Sequence, residues 1–263
     1  MRDFTIDIYK RLLKASVDAE YEFLTLEKFL GERTLPPKTI VMRHDVDRKP
    51  NNALVTAHME NRLGIGASYY FRIVDKSYDE AVIKEIAAMG HEIGYHYEDL
   101  ALAGGDVQKA FNTFRKNLEN FRKIYPVKTV CMHGSPLSKW DNRKMWEKYD
   151  YKTCGIIGEP YYDLDFNRIL YLTDTGRKWN GTAMNVRDRV ESGFVLKSRV
   201  KTTPDLIACI ENGELPDHMM LNVHPERWEN DFLAWSGQLL FQNIKNIFKK
   251  MIVLKNERIQ NRR

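Results

Sequence analysis

Two aspartates follow a short apolar run near residue 40. Residues 40–42 read Ile-Val-Met, which predicts a buried strand, and Arg43, His44, Asp45 and Asp47 come directly after it. Side chains alternate across a strand, so Asp45 and Asp47 should point the same way, roughly 7 Å apart along it. An Asp-x-Asp sequence is more commonly a pair of exposed aspartates in a loop. Buried carboxylates instead need a cation or hydrogen-bond donors, which would make this pair a candidate metal or acid–base site.

Further metal-capable or acid–base residues come at the ends of later predicted strands. They are His96, Glu98, His133, Asp174 and His224. Strand and helix patterns alternate about seven times along the chain, which predicts an α/β fold with parallel strands and helices outside. All strand C-termini of a parallel barrel open onto one face. We therefore expect these side chains to converge there.

The helical and strand patterns suggest a single domain over residues 1–263. We predict an N-terminal helical segment over 1–36 and a basic C-terminal tail over 249–263. The remaining predicted helices cover about 51–63, 79–89, 107–125, 142–149 and 203–212, together with a long amphipathic helix from about 230. A further short apolar segment lies at 154–157.

Composition limits the classes of function. The chain has 263 residues, a hydrophobic content of 43% and a net charge of +5, for which residues 249–263 account in full. The neutral body leaves no basic face for nucleic acid. The three cysteines form no Cys-x-x-Cys pair, which argues against a disulfide framework or a cysteine zinc site. With no signal-peptide pattern and no apolar stretch of membrane-spanning length, we predict a cytoplasmic protein without a membrane span. The oligomeric state is not predicted.

Three short motifs occur in an order typical of one enzyme family. They are His-Asp-Val-Asp ending at Asp47, Gly-His-Glu-Ile-Gly-Tyr-His ending at His96, and Leu-Asn-Val-His ending at His224. Over about residues 39–226 the chain resembles the polysaccharide deacetylases of the NodB-homology type (carbohydrate esterase family four). The resemblance implies a distorted (β/α)7 parallel barrel. It also implies a divalent metal, usually zinc, and hydrolysis of N-acetyl or O-acetyl groups on sugars.

The resemblance also assigns roles to residues. By position, Asp45 matches the catalytic base, Asp47 the metal-binding carboxylate, His96 the first metal-binding histidine and His224 the general acid. Such a metal activates water and polarises the acyl carbonyl. The segment Thr-Asp-Thr-Gly-Arg-Lys-Trp resembles the part of the family that orients the acid and lines the acyl pocket. It supplies Asp174, Arg177 and Trp179.

Two departures from the family pattern concern the metal and the base. The usual second histidine, four residues after His96, is here Leu100, which cannot bind a metal. His133 and Glu98 are both candidate replacements as third ligand, and a weak or absent metal is the remaining alternative. The segment Met-His-Gly-Ser-Pro replaces the family's Arg-x-Pro-Tyr motif, so its arginine is missing, although Arg43 is nearby in sequence. From the same segment we expect Ser135 and Pro136 to contact substrate.

The leading hypothesis is a metal-dependent deacetylase acting on an acylated carbohydrate or a small N-acyl compound. One alternative is a deacetylase-like barrel that binds carbohydrate without turnover, suggested by Leu100. Another is a metallohydrolase of a different amide or ureide. Zinc suits histidine and carboxylate ligands, as do nickel, cobalt and manganese. Several residues also have plain structural readings: His44 as a packed side chain, His224 as a core histidine, and Arg177 as the partner of a neighbouring acid.

Overall fold

A parallel sheet forms the centre of the computed structural model, which describes residues 2–135, 138–179, 190, 193–194 and 200–243. Seven parallel strands occur within those ranges: β1 (Glu22–Leu24), β2 (Thr39–Val46), β3 (Ser68–Phe71), β4 (Glu92–Tyr97), β5 (Val130–Met132), β6 (Leu170–Thr173) and β7 (His218–Val223). Their order in the sheet is β5-β4-β3-β2-β7-β6, with β1 beside β2. The sheet curls into a half-barrel, which confirms the predicted α/β class and its distorted-barrel architecture.

Strand β2 is the central strand of this sheet. Its first half pairs with β1, its second half with β3, and its other edge with β7. All eight of its residues are buried, and their side chains alternate between two apolar clusters. Ile40 and Met42 pack in the larger cluster, whereas Val41 packs in the smaller cluster with Cys131 and Tyr171. Because Asp45 has the parity of Val41, the strand carries it to the side of the smaller cluster.

Helices follow most of the strands and cover the sheet. They are α1 (Ile6–Asp18), α2 (Leu26–Gly31), α3 (Pro50–Arg62), α4 (Glu80–Ala88), α5 (Asp99–Leu102), α6 (Val107–Arg122), α7 (Pro160–Asp163) and α8 (Thr203–Glu211). Side-chain caps fix where several begin: Thr5 caps α1, Asp106 caps α6, and Thr202 forms a capping box with Asp205 on α8. On α6 the buried residues Ala110, Phe114, Leu118 and Phe121 keep the predicted helical spacing.

The structure differs from the sequence prediction at several places. The helix expected near 142–149 is a 3-10 helix, Asn142–Glu147. A second 3-10 helix, Tyr151–Cys154, ends at Gly155, whose positive φ lies in the left-handed region. Beyond it, a bridge joins Gly158 to Thr129. The three-residue strand β1 was not predicted.

The last element of the described chain is a helix over 232–243, where a long amphipathic helix was expected. None of the helices within the described ranges is long and apolar enough to cross a membrane. The basic tail predicted at 249–263 lies outside the described residues.

Candidate active site

Asp45 is held by donors on both sides. Arg43, two residues earlier on β2, donates from Nε to Oδ1 at 2.8 Å and from Nη2 to Oδ2 at 2.7 Å. Asn222 on β7 donates from Nδ2 to Oδ2 at 3.1 Å. Burial raises the pKa of Asp45, but attraction to Arg43, His96 and His224 together with the hydrogen bonds from Arg43 lowers it by more, so the pKa lies well below its ordinary value. Asp45 is therefore an ionised, oriented carboxylate.

Asp47 follows the end of β2 and lies between two histidines. Its Oδ1 is 3.6 Å from Nε2 of His96 and 3.4 Å from Nε2 of His133. This oxygen is buried and has no hydrogen-bond partner among the described residues. The whole side chain is 25% exposed and that of His133 is 14% exposed, so solvent reaches the group from one side. The ends of β2, β4 and β5 thus converge at this site, as expected for a parallel sheet.

Burial keeps the His96 ring neutral. Nδ1 lies 2.9 Å from the carbonyl oxygen of Cys131, which can only accept, so Nδ1 carries the proton. Burial lowers the pKa of His96 to about 4, against the attraction of Asp45 and Asp47. At neutral pH the Nε2 lone pair therefore faces the aspartates, with Oδ2 of Asp45 at 3.8 Å.

His133 is oriented by a carboxylate. Its Nδ1 donates to Oε2 of Glu98 at 2.9 Å, and Nε of Arg72 donates to Oε1 of Glu98 at 2.8 Å. Burial raises the pKa of Glu98, but its hydrogen bond and attraction to His133, with the Arg72 charge, lower it to about 2. Both oxygens of Glu98 are occupied, whereas Nε2 of His133 is directed at Asp47. A histidine bonded to a carboxylate in this way is typical of metal ligands.

Asp174 positions His224. Its Oδ1 accepts from Nδ1 of His224 at 2.7 Å and from Arg227 at 2.6 Å, and its Oδ2 accepts from the His224 amide and from Nε1 of Trp228. Nε2 of His224 lies 4.0 Å from Oδ2 of Asp45. Burial and the Arg227 cation lower the pKa of His224, but attraction to Asp174, the hydrogen bond with Asp174 and attraction to Asp45 together raise it by more, so the net shift is upward.

The structure places Arg177 and Trp179 elsewhere than expected. The Arg177 guanidinium lies over the rings of Phe4 and Trp235, and Nη2 is 3.5 Å from the carbonyl of Asp3. Arg227, not Arg177, donates to the side chain of Asp174, because the 3-10 helix Pro225–Arg227 folds it back towards His224. The Trp179 indole is 2% exposed and donates to Thr203, so it lies in the core.

Ser135 lies beside the histidine side of the site. Its Oγ is 3.1 Å from Nδ1 of His133 and 3.3 Å from Nδ2 of Asn142. Its φ of 38° falls in the left-handed region, where the chain turns at the end of β5. Pro136 lies outside the described residues. Leu100, at the place of the family's second histidine, is buried on α5.

A cysteine that sequence analysis set aside also lies at the site. Among the described residues, Asp45, His96 and Cys131 bring potential ligand atoms within 4.8 Å of one another. Sequence reasoning also missed Asn222, Arg72 and Arg227. Asn222 could have been predicted from strand alternation. It lies two residues before His224, so the two side chains are expected on the same face of the sheet. No local signal connects the two arginines to Glu98 and Asp174.

Comparison with known proteins gives structural likenesses but no match in sequence. No family model and no curated protein matches the chain. One matching solved structure is the Xyl-CE4 domain of a multidomain xylanase from the hindgut metagenome of Trinervitermes trinervoides. It is 14% identical to this chain, with a TM-score of 0.41, and the match covers 84% of this chain and 85% of that one.

Proposed function

We propose that the protein is a metal-dependent hydrolase that removes an acyl group, such as acetyl, from a sugar or a small N-acyl compound. The proposal rests on one observation above all. Asp47 presents a buried oxygen without a hydrogen-bond partner, among the described residues, to Nε2 atoms of two histidines at 3.6 and 3.4 Å. The motif resemblance to polysaccharide deacetylases supports the same reading.

The hydrogen bonds of the two histidines explain why this cluster suits a cation. When both rings are neutral, the Nδ1 protons of His96 and His133 are committed to the Cys131 carbonyl and to Glu98. Two nitrogen lone pairs then face a carboxylate oxygen. Such an arrangement is repulsive unless a cation lies among the three atoms. Neutral imidazole and carboxylate are the forms in which these side chains bind metals.

We infer that Asp47, His96 and His133 hold the metal. Glu98 is less suited, because Arg72 and His133 occupy both of its oxygens. Asp45 accepts three N–H bonds from Arg43 and Asn222, so its oxygens are less available to a metal than that of Asp47. Cys131 could provide a further sulfur donor near His96. Zinc fits these donors, and nickel, cobalt and manganese are alternatives.

The protein side chains supply positioning and proton transfer. A divalent metal bound here supplies Lewis-acid activation of water and of the acyl carbonyl. Asp45, held ionised by Arg43, accepts the proton of the attacking water. His224 has a raised pKa and is oriented by Asp174, so it donates a proton to the departing amine or alkoxide. Nε2 of His224 and Oδ2 of Asp45 are 4.0 Å apart, so both groups lie beside the same reacting centre.

Leu100 favours one alternative, a barrel that binds carbohydrate without turnover. The two functions are separated by acyl release from N-acetyl and O-acetyl sugars, measured with zinc-loaded protein. We expect Asp45→Asn to abolish release while metal content is unchanged. The matched control Asp18→Asn, exposed at the end of α1, should remain active. Full activity of Asp45→Asn would exclude Asp45 as the base, whereas sugar binding without release by wild type would support the alternative. Single-domain organisation and a cytoplasmic location stay predictions.

A further inference from the structure

A cleft lies between the N-terminal segment, the turn after β6, the start of α8 and the helix over 232–243. Its volume is about 540 Å³, which is within the range of small-molecule sites in proteins. The described residues that line it are Asp3, Phe4, Arg177, Lys178, Lys201, Thr202, Trp235 and Leu239. None of them contributes to the metal centre or to the proton transfer proposed above, so this cleft is separate from the candidate active site.

Arg177 is the buried charge of this cleft. The residue is 8% exposed, and its Nε and Nη1 have no hydrogen-bond partner among the described residues. The third nitrogen, Nη2, lies 3.5 Å from the carbonyl oxygen of Asp3, at the outer limit of a hydrogen bond. The guanidinium lies over the rings of Phe4 and Trp235, which compensate part of its charge. The N–H bonds that it does not make still leave its burial costly unless an anion is present.

The acids near Arg177 do not balance its charge in full. Burial, together with the charge of Arg227, lowers the pKa of Arg177. Attraction to Asp3 and Asp174 raises it by less, so the net shift is downward. The Asp3 carboxylate is used at the start of α8, where Oδ2 accepts from the Thr203 amide at 3.0 Å. The cleft therefore contains a buried cation that an external anion would stabilise.

The charge of the cleft indicates which anion suits it. Two exposed lysines join Arg177 in the lining: Lys178 directly follows it, and Lys201 precedes Thr202, the N-cap of α8. Three cations and one acid, Asp3, give the described lining a net formal charge of +2. A phosphate monoester has a charge close to −2 at neutral pH, whereas a carboxylate has a charge of −1. The phosphate monoester is therefore the better match.

We propose that this cleft binds a small soluble phosphate monoester. The phosphate compensates the charge of Arg177 and pairs with Lys178 and Lys201. The organic part of the ligand packs against the apolar side of the cleft, which Trp235 and Leu239 form. The concave shape favours a small molecule over the flat surface of a bilayer. Acyl release plays no part in this proposal, so its failure would leave the proposed function standing.

The test is isothermal titration calorimetry of the full chain with phenyl phosphate, inorganic phosphate and phenol. We expect phenyl phosphate to bind at least about tenfold more tightly than either of the others, because it alone supplies both the anion and the apolar group. Arg177→Met should weaken phenyl phosphate binding by about tenfold or more, and Lys201→Gln by about threefold. Arg115→Met is the matched control, since Arg115 is exposed on α6, and its affinity should equal that of wild type.

The outcomes distinguish this cleft from other places where an anion could bind. Binding of phenyl phosphate that Arg177→Met removes and Arg115→Met keeps supports the proposal. No binding by wild type overturns it. Equal affinity in Arg177→Met and wild type also overturns it, because the anion then binds elsewhere, for example at the metal centre. Flotation with phosphatidic acid vesicles in the absence of phenyl phosphate binding overturns it in favour of a lipid surface.

Folding of the variants is checked separately. Equal unfolding midpoints of Arg177→Met and wild type exclude misfolding as the cause of a lost affinity. Lys201→Gln changes an exposed side chain, so it keeps the proposal testable even when Arg177→Met does not fold. Unchanged phenyl phosphate affinity in Lys201→Gln would then contradict the proposed site.

Discussion

Arg43 and Asp45 lie two residues apart on β2, and the arginine donates to both oxygens of the aspartate at 2.8 and 2.7 Å. Two residues is the repeat of a strand, so both side chains project from the same face of the sheet. Arg43 is 1% exposed, and the nearby Asp45 carboxylate compensates its charge. An arginine from within the same strand therefore fixes the orientation of this carboxylate.

Replacing Arg43 by lysine should lower activity more than stability. Lysine keeps the positive charge but loses the two parallel N–H bonds that fix the carboxylate plane. Misplacement of a base by such a change typically costs about 100-fold in rate, so we expect a fall of that order in kcat/KM. Arg43→Met should instead destabilise the fold by about 3–5 kcal/mol, because it leaves a buried charge unpaired.

Steady-state kinetics and denaturant unfolding check these two effects. Arg62→Lys, at the exposed last turn of α3, serves as the control and should match wild type in both. Wild-type kcat/KM in Arg43→Lys would show that orientation of Asp45 by Arg43 is dispensable.

Replacing Asp174 by asparagine should move the basic limb of the pH–rate profile. The Asp174 carboxylate raises the pKa of His224 against burial and Arg227. Without it the pKa falls, so the acid loses its proton at a lower pH. We expect the basic limb of kcat/KM to shift downward by about 1–2 pH units. The exposed Asp75→Asn serves as a control, and an unmoved basic limb in Asp174→Asn would argue against His224 as the acid.

The metal-free protein should lose stability as the pH falls from about 6.5 to 4. Burial lowers the pKa of His96 to about 4, so the unfolded chain binds a proton in this window that the folded protein does not. Stability from this group is complete above the unfolded pKa and is lost as the pH falls towards the folded one. The whole shift is worth about 3 kcal/mol.

Denaturant unfolding with a chelator present, at intervals between pH 4.5 and 7.5, measures this loss. His96→Gln should flatten the pH dependence relative to wild type. His58→Gln, an exposed histidine on α3, should leave it unchanged. Equal slopes in wild type and His96→Gln would mean that folding does not lower the pKa of His96.

Strand periodicity explains how much of the site could be predicted. The alternation of β2 placed Asp45 and Asp47 on one side and His44 on the other, where it bonds to Glu60 at 2.7 Å. Parallel topology then brought the ends of β4, β5 and β7 to the same place. Both rules need only an apolar run that ends in polar residues, so sequence alone was sufficient for them.

The contacts of Asp174 could not be predicted in the same way. Arg177 is closer in sequence, but it has a left-handed φ of 58° and its guanidinium lies against Phe4 and Trp235. Arg227 reaches Asp174 through a three-residue 3-10 helix. The choice between the two arginines depends on turn geometry and on contacts with the N-terminal segment, for which neither periodicity nor motif spacing gives a signal. The short β1 was missed because Glu-Phe-Leu gives no apolar run like the Val-Cys-Met of the equally short β5.

The most direct test of the account is metal content, measured by elemental mass spectrometry on purified protein after reconstitution with zinc. We expect about one metal per chain in wild type and in the control His58→Ala. The metal should be lost in Asp47→Ala, His96→Ala and His133→Ala, each checked for folding by its unfolding midpoint. No metal in reconstituted wild type, or a full metal content in all three variants, would contradict the proposed centre.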